Sequence, residues 1–122
     1  MVLVVEPGNE VMRTLARLAE EQGLRDAAIV SLIGAVDACA ISNMPAGDAR
    51  SDIITEYAQP CELSGTGEIT DGAVHIHVVL GREGDVAVSG HLHWAKVETF
   101  FVHAYVLPVT PGEPLYPRRS RA

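Results

Sequence analysis

Residues 73–97, AVHIHVVLGREGDVAVSGHLHWAKV, decide how this chain is read. The stretch holds four of the five histidines, as two H-x-H pairs, His75/His77 and His91/His93. Apolar residues alternate on both sides of the polar REGD, the pattern of two half-buried strands joined by a turn. Alternate side chains of a strand share a face, so His75 and His77 lie together while Val74, Ile76 and Val78 face the other way. At two rises of ~3.3 Å, same-face neighbours stand about 7 Å apart. Two imidazoles can converge from that separation on one ion, because zinc–nitrogen bonds are ~2.0–2.1 Å long. The short connection makes the two segments natural antiparallel neighbours, and cross-strand pairing then brings up a third imidazole. Three histidines leave one position of a tetrahedral ion open for water, the arrangement of catalytic zinc. Spacing alone leaves open which of the four histidines form the set. Imidazole suits zinc first, and also iron, nickel, copper and cobalt.

Outward from this hairpin, the chain continues to read as strands with a single helix. Val2 to Val5 is a short apolar strand broken by PGN, with Asn9 as the expected N-cap of the next element. Val11, Leu15, Leu18 and Ala19 recur at helical spacing, and Gly23 fits a left-handed C-terminal cap. The β-branched run 27–44 reads as two strands, or as one long strand bulged at Gly34. PAGDARSD is a polar loop; IITEYA, ELSGTGEI and TFFVHAYVLPV complete the strands, and TDG at 70–72 is a hairpin turn. The expectation is an α+β fold: a curved, mostly antiparallel sheet with one N-terminal helix packed on it. One domain is expected over residues 1–109, followed by a Pro/Arg-rich tail over 110–122.

The totals narrow the function. The chain has 122 residues, 48% of them hydrophobic, with a formal net charge of −7. Binding to phosphate backbones requires clustered Lys and Arg. Here there are nine, three of them in the final PRRSRA, so duplex DNA is not an expected partner. No secretory leader or membrane span is visible, which predicts a cytoplasmic protein with Cys39 and Cys61 as reduced thiols.

A metal-bound water needs a proton acceptor. The carboxylate candidates are Glu62, Glu98 and Asp85, of which Glu62 is preferred because it opens a strand that can neighbour the hairpin. His93, Trp94, Phe101 and His103 are candidate pocket residues, with His103 read as a hydrogen-bonded histidine of a half-buried strand rather than a ligand. The sequence contains no G-x-S-x-G elbow, Walker loop or G-x-G-x-x-G fingerprint.

The order of segments resembles the PPC domain (DUF296) of plants and prokaryotes. The resemblance rests on the early helix, AAIVSLIGAV with Gly34, CELSGTGEI with Glu62 and Gly65, VHIHVVL, and above all SGHLHWAKV, and it spans roughly residues 8 to 109. It implies a homotrimer in which His75, His77 and His91 bind a metal, commonly zinc, near a cleft between subunits, with His93 outside the set and Glu62 beside it. Many members carry a glutamate in the last strand where this chain has FFVH. The AT-hook that accompanies DNA contact in plant members is missing from this sequence.

The expected function is therefore a metal-dependent hydrolase or lyase acting on a small molecule, with Glu62 as base. The alternative is a regulatory module that binds DNA or protein and uses the metal structurally. A third reading is a ligand sensor that holds a metabolite without turning it over.

Overall fold

The computed structural model describes residues 1–110. Of the tail expected over 110–122, residues 111–122 lie outside the described residues. Among the described residues, nine strands and one helix follow in the order β1 (Val2–Val5), β2 (Asn9–Glu10), α1 (Val11–Glu21), β3 (Ala27–Val36), β4 (Ala38–Asn43), β5 (Ile53–Tyr57), β6 (Cys61–Thr70), β7 (Ala73–Arg82), β8 (Val86–Val97) and β9 (Val102–Pro108). The strands form one open antiparallel sheet in the order β1-β9-β3-β6-β7-β8-β4-β5, with β2 paired to β8.

One face of the sheet is apolar because the sequence alternates. Leu63 and Ile69 of β6, Ile76, Val78 and Leu80 of β7, and Leu92, Ala95 and Val97 of β8 are all buried. The helix contributes Val11, Leu15 and Ala19, spaced to form one stripe, to the same core. The opposite face is exposed and carries the histidines. Cys39 of β4 and Cys61 of β6 are neighbours in the core whose thiols influence each other, although β7 and β8 separate their strands. A flat sheet would hold three strand spacings of ~4.8 Å between them. The sheet therefore curls around its core. Burial pushes the Cys39 thiol up to about 12, with the Cys61 thiol adding to the shift. Both cysteines are free and buried, and a thiol held protonated in this way is a poor nucleophile.

Three local expectations need correction. The N-cap is Glu10 rather than Asn9. Asn9 is occupied in β2 opposite Val97, and its side-chain amide donates to the Glu6 carbonyl. The Glu10 carboxylate accepts from Met12 N at 2.8 Å and Arg13 N at 2.9 Å, placing negative charge at the positive end of the helix. It also accepts from Ala95 N at 2.9 Å, tying the helix to β8 just past the histidines.

The bulge of β3 lies at Val30–Ser31, not at Gly34, where the pairing is regular. Gly34 serves a different need: a Cβ there would run into the Phe101 carbonyl and stand 2.8 Å from Val102 Cα. The run 27–44 is two strands, broken at Asp37. The Asp37 carboxylate accepts from Glu98 N, Thr99 N and the Thr99 hydroxyl, which hold its pKa below the usual carboxylate range. The turn at Asp71–Gly72 is as expected. Both residues have positive φ, 50° and 83°, so the two-residue hairpin suits the right-handed twist of β6 and β7.

Candidate metal centre

Three imidazoles meet on the exposed face. β7 carries His75 and His77 on alternate positions, and the β7–β8 register sets His77 directly opposite His91. One nitrogen from each of His75, His77 and His91 lies within 4.8 Å of the other two. The Nε2 atoms of His75 and His77 face each other at 3.2 Å. A tetrahedral ion with nitrogens at ~2.0–2.1 Å would space neighbouring ligands at about 3.3 Å, so this pair already matches one edge of a zinc site. The ring centroids are 4.9 Å apart for His75–His77, 5.0 Å for His75–His91 and 5.8 Å for His77–His91. The donor set fits a divalent ion of borderline softness.

His91 is the most enclosed of the three. Burial, then the neighbouring His93, His75 and His77, lower its pKa below the usual imidazole value. A lowered value keeps the ring neutral as pH falls, leaving its lone pair free for a metal. Gly90 lets β4 approach here, since a Cβ on it would stand 2.9 Å from Asn43 Nδ2 and press on the Ser42 carbonyl.

His93 is close to the cluster but differently employed. Its ring lies 4.9 Å from that of His91, and its Nε2 is 2.8 Å from the Ser42 hydroxyl. A register shift between β4 and β8 at His93–Trp94 explains how the two meet. The bulge keeps Leu92 and Ala95 in the core and turns the intervening residues toward the partly exposed side.

The other candidates are separated from the triad. Glu62 pairs with Gly81, four residues along β7 from His77 and about 13 Å away at ~3.3 Å per residue. It lines a different hollow, with Arg82 and Phe100. Phe101 and His103 stack at 4.2 Å on the edge of β9, three strands from β7 and about 14 Å along the sheet at ~4.8 Å per strand. Trp94 follows His93 on β8, with the Lys96 ammonium over its ring. Asp85 sits in the β7–β8 turn with φ 61°, and the backbone of Glu98 is bound to Asp37.

A carboxylate beside the triad that sequence reasoning passed over is Glu68; Asp52 also acts on His91, opposing the lowering of its pKa. Glu68 pairs with His75 across β6 and β7, and its Oε1 lies 3.8 Å from His75 Nδ1. A count along the hairpin from the Asp71–Gly72 turn would have found it, because that turn sets Thr70 against Ala73 and so Glu68 against His75. Ser42, the partner of His93, had no such local signal.

The sequence matches the Plants and Prokaryotes Conserved (PCC) domain over residues 1–110. The chain belongs to the PCC-domain family. Among solved structures this PCC domain is similar to a metal-containing protein from Archaeoglobus fulgidus. The two are 30% identical with a TM-score of 0.74, over 88% of this chain and 77% of that one. A plant- and prokaryote-conserved (PPC) protein from Pyrococcus horikoshii matches at 21% identity and TM-score 0.74, over 99% and 85% of the two chains. A candidate DNA-binding protein from Ralstonia eutropha matches at 21% identity and TM-score 0.77, over 88% and 76%. These last two likenesses speak for the fold alone. No curated protein matches the sequence. No helix among the described residues is long and apolar enough to cross a membrane.

Proposed function

We propose that this PCC domain, within residues 1–109, is a metal-dependent enzyme acting on a small molecule, with His75, His77 and His91 holding a zinc-like ion. The observation that carries the reading is the convergence of three imidazole nitrogens, two of them facing each other at 3.2 Å on an exposed face. Such an ion, once bound, polarises a carbonyl or lowers the pKa of a water, which is hydrolase or lyase chemistry. The protein's own part is to fix the ring orientations and handle the proton. Glu68 faces Nδ1 of His75 and so favours the tautomer that leaves Nε2 free for the ion. Glu62 serves as the base only if a second subunit presents it across a cleft, as the homotrimer reading requires. Exposed Val30, Ile33, Tyr105 and Leu107 on β3 and β9 support an assembly that covers this side of the sheet. Phe101 and His103 on the same side would enter a pocket by the same route.

The regulatory alternative draws on the neighbour described as DNA-binding. The electrostatics of the described residues favour the small-molecule reading. Arg17 is paired with Glu21, Arg25 with Asp71, Arg82 lies over the Tyr57 ring and Lys96 over the Trp94 ring, so four of the six basic side chains are already engaged.

Glu68→Gln is expected to weaken zinc binding by about 10- to 100-fold, read by competition with a chromogenic chelator, while leaving one ion per chain at saturation. The enzymatic reading is tested with untagged, zinc-loaded protein and p-nitrophenyl acetate. Turnover should exceed that of free zinc, stop on chelation, return with added metal, and be lost in His91→Ala. Metal-bound protein no faster than free zinc would overturn it.

A further inference from the structure

Beside the triad, the exposed face carries a hollow of about 560 Å³, within the range of small-ligand sites. Cross-strand register explains its shape. Ser64, Val79 and Ser89 form one row across β6, β7 and β8, and Thr66, His77 and His91 form the next. Between the two rows lie Gly65, Val78 and Gly90, whose outward side is bare backbone. The result is a trough running across the strands, with His77 in its wall. Ser31, at the bulge of β3, extends the hydroxyl lining at one end.

The lining is chemically selective. Four hydroxyls, on Ser31, Ser64, Thr66 and Ser89, open on the trough, and all four residues are exposed. Among the described residues, the hydroxyls tied to other side chains are those of Ser42, Ser51 and Thr99, so the four in the trough are free to donate and accept. Val79 adds an apolar surface. Among the described residues, no lysine, arginine, aspartate or glutamate lines the trough, and no helix N-terminus opens on it. Phosphate recognition relies on such cations or helix ends.

We propose that this trough binds an uncharged, unphosphorylated small molecule rich in hydroxyl and carbonyl oxygens, with one oxygen reaching toward the ion at His77. The proposal names a substrate class for the metal centre and rests on that reading. The free hydroxyls bind the ligand oxygens, Val79 packs against its carbon skeleton, and the described lining offers a phosphorylated analogue no cationic side chain.

The test is an amide NMR titration of zinc-loaded protein with dihydroxyacetone and, separately, dihydroxyacetone phosphate. Saturable shifts are expected at Ser64, Gly65, Ser89 and Gly90. The double variant Ser64→Ala/Ser89→Ala should bind dihydroxyacetone about tenfold more weakly while still holding one zinc per chain. Tighter binding of the phosphate ester to metal-free protein through the same amides, shifts confined to other surfaces, or full affinity in the double variant would each overturn the proposal. Repeating the titration on metal-free protein separates the two readings. Shifts at the four amides without any metal dependence would sustain the trough and count against the metal's role, whereas loss of shifts in zinc-loaded protein would reject the trough alone.

Discussion

Replacing His91 with alanine is expected to abolish stoichiometric metal binding and the thermal stabilisation that accompanies it. His91 is the imidazole that β8 brings across to the two on β7, so its loss would leave a two-histidine site that water must complete. The drop in affinity should exceed the roughly 10- to 100-fold that follows loss of an outer-shell partner. In the parent protein, zinc at about 1,000 times its dissociation constant is expected to add ~4 kcal/mol to stability, or on the order of 15 °C in Tm for a domain of this size. His91→Ala should show almost none of this increase, while its metal-free Tm stays close to that of the parent. The lowered pKa of His91 adds a direction in pH. A ring that stays neutral at lower pH yields its metal to protons later on acidification than an ordinary imidazole would. Calorimetry of both proteins with and without zinc measures these effects, and an unchanged zinc-dependent Tm shift in His91→Ala would remove this histidine from the site.

The largest effect on the fold itself is expected at Gly34→Ala. The added Cβ would meet backbone, the Phe101 carbonyl and Val102 Cα, rather than a flexible side-chain end. β3 and β9 would have to separate locally, losing pairing that includes the hydrogen bond from Ala35 N to the Phe101 carbonyl. Overpacking of this kind costs about 3 kcal/mol, or roughly 12 °C in Tm. Gly47→Ala, with nothing within 4 Å of the new methyl, is the matched control and should stay within about 0.5 kcal/mol of the parent. Denaturant melts of both variants decide the matter.

Much of the site was legible because it is built from two-residue periodicity. H-x-H on a strand shares a face whatever the rest of the fold does, and a short connection puts β7 beside β8, so His77 and His91 meet without tertiary information. The helix was equally plain from Val11, Leu15 and Ala19. Features set by non-local pairing were harder to read. Glu62 lies in a recognisable segment, but its distance from the triad depends on the register of β6 against β7. Phe101 and His103 lie eight and ten residues past His93 in sequence, yet β9 returns between β1 and β3, on the far side of β6 from the hairpin. The bulges at Val30–Ser31 and His93–Trp94 reverse which residues face the core, and no local residue pattern marked either. Glu10 was overlooked as a cap because its second partner, Ala95 N, comes from the opposite end of the chain.

Whether these three histidines form a metal site is decided by anomalous diffraction from crystals of untagged protein grown with zinc and measured on either side of the zinc absorption edge. One strong peak per chain is expected, bonded at ~2.0–2.1 Å to a ring nitrogen of His75, His77 and His91. A well-ordered crystal with no peak there, or with the only peak elsewhere, would contradict the metal site.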